Sequence, residues 1–211
     1  VDFVPTTRRR QDRGDPRDAG LGTPAKQLFQ RRSVLLKINK ADKKVMSLGD
    51  KVELVHHNIV NLLSQNDNIV KLLSSESPDC LDIEINEEAR DKIFDEENRD
   101  KCRVFRAPFV PKTEEVSCAQ LRIYTPIIKP TTEFTADIFV VVDVIVDLEV
   151  NRLTKGQRWF RLLSEILDTI SGKSVGGIGR LQLLQSNIPL TCFKENFWGY
   201  SVPFQVKAGT N

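Results

Sequence analysis

Histidine and cysteine supply many of the metal ligands and nucleophilic centres of proteins, and this chain has few of either. Its 211 residues include only two histidines, the neighbours His56 and His57. Neighbouring side chains on a helix point about 100° apart, so these two make a poor pair of metal ligands. The four cysteines contain no CxxC pair, which predicts reduced, mostly buried thiols: Cys80, Cys102, Cys118 and Cys192. We therefore predict no metal site and no cysteine or serine nucleophile served by a histidine base.

Two glycine-containing stretches resemble phosphate-binding loops, but both lack required positions. Residues 172–174 read GKS, the end of a phosphate-binding loop motif. The motif also needs a glycine five positions before Gly172, and this chain has Leu167 there. Residues 177–179 read GIG, but the third glycine of a dinucleotide fingerprint would fall at Gln182. The sequence thus predicts no bound nucleotide or other cofactor.

Paired carboxylates are the remaining source of acid–base chemistry. Asp143 and Asp147 share one face of a predicted strand, four residues and about 13 Å apart. Glycosidase carboxylates lie about 5–9.5 Å apart, so this spacing is too long for such a pair. We interpret the two aspartates as a solvated or channel-facing acidic stripe. No catalytic residue is predicted, and the chain is not expected to be an enzyme.

The positive charge is concentrated at the N-terminal end. Residues 1–44 hold twelve lysines and arginines against five acidic residues, whereas residues 45–211 hold nineteen against twenty-four. The first 23 residues are polar and have no apolar periodicity, which predicts disorder in isolation. The sequence therefore divides into an extended basic arm, 1–44, and a domain, 45–211.

The basic arm has three possible roles: docking on protein, binding nucleic acid, or remaining a solvated tail. Its candidate docking residues are Arg8, Arg9, Arg10, Arg13 and Arg17. Residues 33–38 could form a short strand or add to a neighbour's sheet. The sequence has no run of eighteen apolar residues and no signal-peptide core, so we expect a soluble protein made in a cytoplasm, without membrane contact.

The longest regular pattern spans residues 133–150. One register is apolar at every second position from Ile138 to Val150, which is typical of a strand. The other register is acidic at its ends and apolar at Phe139, Val141 and Ile145. Burying one face of the strand yields about as much free energy as ordering its backbone costs. These three residues on the other face should therefore also be covered by other side chains. The length favours contacts with neighbouring subunits, although a long central strand in a monomer is an alternative.

Helices should flank this strand. One is predicted from Asp50, with Glu53 at its third position, and continues after a polar break at residues 65–68. Another, over 157–170, has a Thr154–Gln157 capping pair and an apolar stripe that includes Trp159 and Phe160. The charged residues 87–100 indicate a surface helix or excursion.

Shorter strands are predicted over residues 81–85, 104–110, 119–124, 181–185 and 200–206, with a turn at 126–132. Their short connections favour antiparallel pairing. The predicted fold class is α+β: a mostly antiparallel sheet flanked by two or three helices, with an extended basic N-terminal arm.

Aromatic residues cluster near the C-terminal end. Phe193, Phe197 and Trp198 precede the last predicted strand, and Tyr200 begins it. Core filling is one explanation for this cluster. The other is a subunit contact built on aromatic anchors, which makes Phe193, Phe197 and Trp198 candidate docking residues.

Residues 50–206 resemble the tail-terminator and tail-completion family of tailed bacteriophages, which includes the phage lambda tail terminator. Four segments carry the resemblance: FTADIFVVVDVIVDLEV, GQRWFRLLSEILDTISG, GGIGRLQLLQS and GYSVPFQV. The resemblance is one of architecture. The basic arm departs from the pattern, since the smallest members of the family have none.

The resemblance implies a virion structural protein that forms a homohexameric ring at the head-proximal end of the tail. Such a ring ends tail-tube growth, joins the tail to the neck or head, and lets DNA pass without specific binding. The implied partners are further copies of the chain, the tail tube and neck proteins. Two alternatives stay open: another head-to-tail connector or neck protein, or a nucleic-acid-binding module acting through the arm.

Overall fold

The computed structural model describes residues 46–109, 117–132, 135–185 and 187–208. The described residues contain four α-helices and nine strands, an α+β fold as predicted. The helices are α1 (Leu48–Ser64), α2 (Asp67–Ser74), α3 (Glu87–Phe94) and α4 (Arg158–Ile170), with a 3-10 helix at Cys80–Asp82. The strands are β1 (Val104–Phe105), β2 (Ala119–Pro130), β3 (Ala136–Asp147), β4 (Arg152–Leu153), β5 (Gly156–Gln157), β6 (Ser174–Val175), β7 (Gly179–Leu183), β8 (Leu190–Lys194) and β9 (Phe197–Ala208).

The long predicted strand forms the centre of the main sheet. The strand order is β1-β2-β3-β9-β7-β6, and β8 also pairs with β9. All pairings in this sheet are antiparallel except β1 with β2, which is parallel. β3 pairs along its whole length with β9, from Ala136↔Ala208 to Asp147↔Phe197. The prediction of a mostly antiparallel sheet is therefore confirmed.

The helices lie against one face of this sheet and form the main core with it. Within β3, the predicted apolar register lies on that face and is fully buried: Ile138, Val140, Val142, Val144 and Val146. The same register was predicted to continue to Val150, but β3 ends at Asp147 and Leu148 is 47 % exposed. From the helices, α1 contributes Val55 and Ile59, and α4 contributes Leu162, Ile166 and Ile170. The spacing of three and four in these helices places their apolar side chains on one stripe.

Several predicted strand boundaries were wrong. Residues 81–85 form no strand, because the 3-10 helix occupies Cys80–Asp82. β2 continues to Pro130 through an irregularity between Tyr124 and Ile127, where a turn was predicted; prolines are tolerated at a sheet edge. Residues 190–194 form β8, for which no strand was predicted, and β9 begins at Phe197, three residues before the predicted start.

Both predicted capping pairs were also wrong. The N-cap of α1 is Ser47, and Asp50 is the third helical residue that completes the capping box. At α4, the side chain of Thr154 instead bonds to Pro78 and Asp79. Asn151 caps α4 from outside, since its Oδ1 accepts from the amide of Trp159 at 3.2 Å.

Arg158, the first residue of α4, is fully buried and donates to main-chain carbonyls of two distant segments. Its Nε donates to Val150 at 2.7 Å and its Nη1 to Leu72 and Ser75, both at 2.6 Å. Its Nη2 donates to Ser77 at 2.9 Å. Two of these carbonyls belong to the C-terminal end of α2, where helix carbonyls have no partner within the helix and a cation is favourable. Arg158 thus ties α2 and the loop after it to the β3–α4 connection.

Replacing Arg158 with methionine should destabilise the fold by about 3–5 kcal/mol, because several buried carbonyls lose their donor together. Urea denaturation followed by tryptophan fluorescence measures the loss. Arg161→Met is the matched control on the same helix. Arg161 is half exposed and paired with Glu165, so its loss should cost less than about 1 kcal/mol. Equal losses for the two variants would contradict the role of Arg158.

Gly199 in β9 has no room for a side chain. A Cβ there would lie 1.7 Å from the main-chain oxygen of Val144 in the paired strand. Gly199→Ala should therefore cost about 1–3 kcal/mol or more in unfolding free energy. Gly49→Ala is the control, because a Cβ at this helical position meets only Ser47 Oγ at 3.8 Å and should stabilise by about 0.5–1 kcal/mol. An unchanged unfolding free energy for Gly199→Ala would mean that β3 and β9 can separate locally.

Candidate functional site

The second face of the sheet, which we call the open face, contributes nothing to the main core. It is built from cross-strand rows, each with one residue from β2, β3 and β9. From the C-terminal end of β3 back towards its start, the rows are Gln120–Ile145–Gly199, Arg122–Asp143–Ser201, Tyr124–Val141–Pro203, Ile127–Phe139–Gln205 and Lys129–Asp137–Lys207. The face passes from buried at the first row to exposed at the last.

The second row is a buried polar cluster. Ser201 donates its hydroxyl to Asp143 Oδ1 at 2.6 Å, and the Tyr124 hydroxyl bonds to the same carboxylate. Arg122 lies opposite Asp143 in the register and donates to the carbonyl of Pro108 at 3.4 Å. Burial raises the pKa of Asp143 above its usual value, while the two hydroxyls and Arg122 oppose the rise. Burial next to Asp143 also raises the pKa of Tyr124 to about 12.

The prediction that Asp143 and Asp147 face a channel is wrong for the subunit, because each is only 4 % exposed. Asp143 is held within the polar cluster. Asp147 turns back on its own chain, where its Oδ1 accepts from the amide of Glu149 at 2.8 Å and ends β3. Both carboxylates are used to satisfy polar groups of the fold, and this leaves neither of them to line a surface.

The third and fourth rows carry a group of apolar side chains that the described residues do not fully cover. We call it the open patch: Tyr124, Ile127, Phe139, Val141 and Pro203. Ile127 is 59 % exposed and the other four are half-buried. Two of the three residues that were expected to need cover, Phe139 and Val141, belong to this patch, whereas Ile145 is fully buried. The open patch is the part of the sheet that lacks a packing partner among the described residues.

The open patch lies at the β2 edge of the sheet. Among the described residues, β1 pairs with β2 only at Leu121 and Arg122, so no described strand lies beside its outer half. Pro126 and Pro130 lie two residues either side of Ile128 and have no N–H to donate. Prolines on an edge hinder the addition of a further strand. A partner at this site is therefore expected to pack on side chains more than to extend the sheet.

The other predicted docking residues have mixed outcomes. Phe197 is buried beside β3 and is unavailable to a partner, while Phe193 and Trp198 are half-buried. The five arginines of the arm, Arg8, Arg9, Arg10, Arg13 and Arg17, lie outside the described residues, as do residues 33–38. Their docking role stays a prediction.

The histidines and cysteines are dispersed. His56 Nε2 lies 2.8 Å from Thr125 Oγ1, and burial, with Arg106 nearby, lowers the pKa of His56. Cys80, Cys102 and Cys118 are buried, and burial raises the pKa of Cys102 to about 11. In the described part of the chain, no three His, Cys, Asp or Glu side chains are grouped to hold a metal ion. None of the described helices combines the length and apolarity needed to cross a membrane.

The fold and this surface define an α+β protein with a one-sided helical layer. A family model describes the same region: the YomW model matches residues 66–206, from the start of α2 almost to the end of β9. Because this match spans well over half of the chain, the protein belongs to the YomW family. The family name is phage-derived, which makes this a phage-associated protein. No curated protein matches the chain.

The pH dependence of stability tests the balance of charges at Asp143. Since its pKa is raised above 3.8 in the folded protein, the stability that Asp143 contributes is fully present below this pH and is lost as pH rises through the raised pKa. We expect the unfolding free energy of the wild type minus that of Asp143→Asn to fall as pH rises from about 3.8. Urea titrations between about pH 3 and 8 measure it. A difference that grows with pH would mean that Arg122 and the hydroxyls outweigh burial.

Proposed function

We propose that this chain is a structural protein of a phage virion: a tail terminator that closes into a homohexameric ring at the head-proximal end of the tail. The ring ends growth of the tail tube, joins the tail to the neck or head, and lets DNA pass without specific binding. The protein acts by occupying its position, without catalysis or a cofactor. Its partners are other copies of itself, the tail tube and neck proteins.

Three features support the proposal. The family is phage-associated. The four segments that carry the resemblance to tail terminators include β3, α4, β7 and most of β9, the elements at the centre of this fold. The four described helices cover one face of the sheet, which is what a subunit needs when its other face is to be covered by a neighbour.

The open patch is the observation that carries the proposal. Apolar side chains are normally covered where their own chain can reach them, and contiguous exposed groups mark interaction sites. Here two adjacent apolar rows, beyond the buried polar row, extend from the half-buried Val141 to the exposed Ile127. Full burial of such side chains is worth about 1.5–3 kcal/mol each. A partner that covers the patch therefore gains free energy that packing among the described residues leaves unused.

The number of residues in the open patch limits the part that it can have in an interface. A stable protein interface buries about 800 Å² per partner and involves about 20–30 residues on each side. Five residues are too few for a whole interface but enough for its central anchors, which supply most of the binding energy. The buried Arg122–Asp143–Ser201 row would support these anchors from the side, since it holds β2, β3 and β9 in register.

Ile127→Asp tests the proposal at the most exposed position of the patch. We expect the variant to fold with a stability within about 0.5 kcal/mol of the wild type, because the side chain is largely in water. We also expect it to lose ring assembly on tail tubes of the phage that encodes the chain. Native mass spectrometry and electron microscopy of the tubes measure assembly, and urea denaturation measures stability.

Ile83→Asp is the matched control, with the same substitution at an isoleucine that is 47 % exposed and lies after the 3-10 helix, away from the open face. It should assemble normally. A wild-type protein that stays monomeric even with tail tubes present would overturn the proposed function. A ring located at the head vertex instead of the tail end would favour the connector alternative.

A further inference from the structure

A second apolar group, distant from the open patch, lies where α4 meets β8 and the start of β9. We call it the corner patch: Leu148, Phe160 and Leu190, all exposed. The Phe160 ring lies 5.9 Å from the ring of Tyr200, and Leu190 is the register partner of Tyr200. Leu148 follows β3 and donates its amide to Asn196 at 2.9 Å, in the β8–β9 turn. The half-buried Trp198 lies between these two contacts along β9.

Phe160 is more exposed than its position in the helix predicts. The sequence predicted that it joins the core stripe of its helix, but the side chain is 55 % exposed while its neighbour Trp159 is buried. The two rings meet edge to face at 6.2 Å, so Phe160 is braced against Trp159 and Tyr200. A rigid, exposed aromatic ring supported by two others is a typical anchor of a protein interface.

The two patches lie towards opposite sides of the sheet. The open patch borders the β2 edge, and the corner patch lies on the β8 side of β9. They also use opposite faces, since Tyr200 belongs to the helix-covered core and the open patch does not. One copy therefore presents two unlike apolar surfaces in two different directions.

Charges next to the two patches are complementary. The open patch ends at the row Lys129–Asp137–Lys207, with two lysines and one aspartate. The corner patch is bordered by Glu149 and Glu195, with Lys194 beside them. Arg161, next to Phe160, is already paired with Glu165 at 2.7 Å. Complementary borders steer two surfaces together and fix their register.

We propose that the open patch of one copy packs against the corner patch of the next, so that the subunits associate head to tail. The occupant of each patch is a second copy of this chain. An isologous contact would pair a patch with itself, close after two copies and leave the other patch uncovered. A head-to-tail contact covers both patches on every copy, and it generates a ring when the rotation closes. This inference rests on the proposed function and names the contact that builds the ring.

The test uses two variants of the full chain, Ile127→Asp in the open patch and Phe160→Asp in the corner patch. Phe160 is the third residue of α4, where an acidic side chain is compatible with the helix N-terminus. Each variant alone should assemble at least about tenfold more weakly than the wild type. Mixed in equal amounts, they should form a one-to-one heterodimer and no ring, because each supplies the patch that the other lacks. Native mass spectrometry with mass-labelled variants distinguishes heterodimers from homodimers.

Ile83→Asp should assemble as the wild type does, and urea denaturation should find all three variants folded. A wild-type ring that either variant still forms, or a mixture without heterodimer, would overturn the head-to-tail contact while leaving the proposed function intact. A homodimer formed by either variant alone would indicate an isologous contact and also overturn it. A wild type that forms no ring on tail tubes would contradict the proposed function and this inference together.

Discussion

The buried guanidinium of Arg158 is the interaction on which the arrangement of the helices depends. It donates to carbonyls at the end of α2, in the following loop and after β3. No carboxylate accepts from it among the bonds of the described residues. Its charge is instead balanced by main-chain dipoles, those at the C-terminal end of α2 among them. Because the donors of a guanidinium are fixed in one plane, these segments are held at set positions around it.

A helical layer fixed in this way covers one face of the sheet in the part of the chain that the structure describes. The apolar side chains on one face of β3 are buried under α1 and α4. The opposite face is held by its own polar row, and burial of its apolar side chains requires a further packing partner. Asp143, Ser201 and Tyr124 bond to one another there, so the second row of the open face is held together by hydrogen bonds. The more exposed half of this face carries the partly exposed apolar side chains of the open patch, followed by the charged row Lys129–Asp137–Lys207. The fold therefore separates a self-sufficient core from a surface suited to a partner.

The open patch and the corner patch differ, so a contact between them has a defined direction. A subunit whose patches are unlike and face different ways can add copies in one sense only, which is compatible with the ring that we propose. The prolines of β2 fit this arrangement, because an unprotected edge strand would allow open-ended pairing between sheets. Specific assembly thus requires both an apolar patch and a blocked edge next to it.

The sequence by itself determined the elements whose periodicity is strong. The alternation in β3 and the apolar stripe of α4 predict their type, and the short connections predict antiparallel pairing. Tertiary structure decided which positions were finally covered. Alternation shows that β3 has two faces, but the exposure of Val141 and the burial of Asp143, two residues apart, depend on side chains of β2 and β9 that are distant in sequence. In the same way, Arg158 reaches residues about eighty positions earlier, and the ring of Phe160 contacts that of Tyr200, forty positions later. These contacts join remote segments, and local spacing contains no record of them.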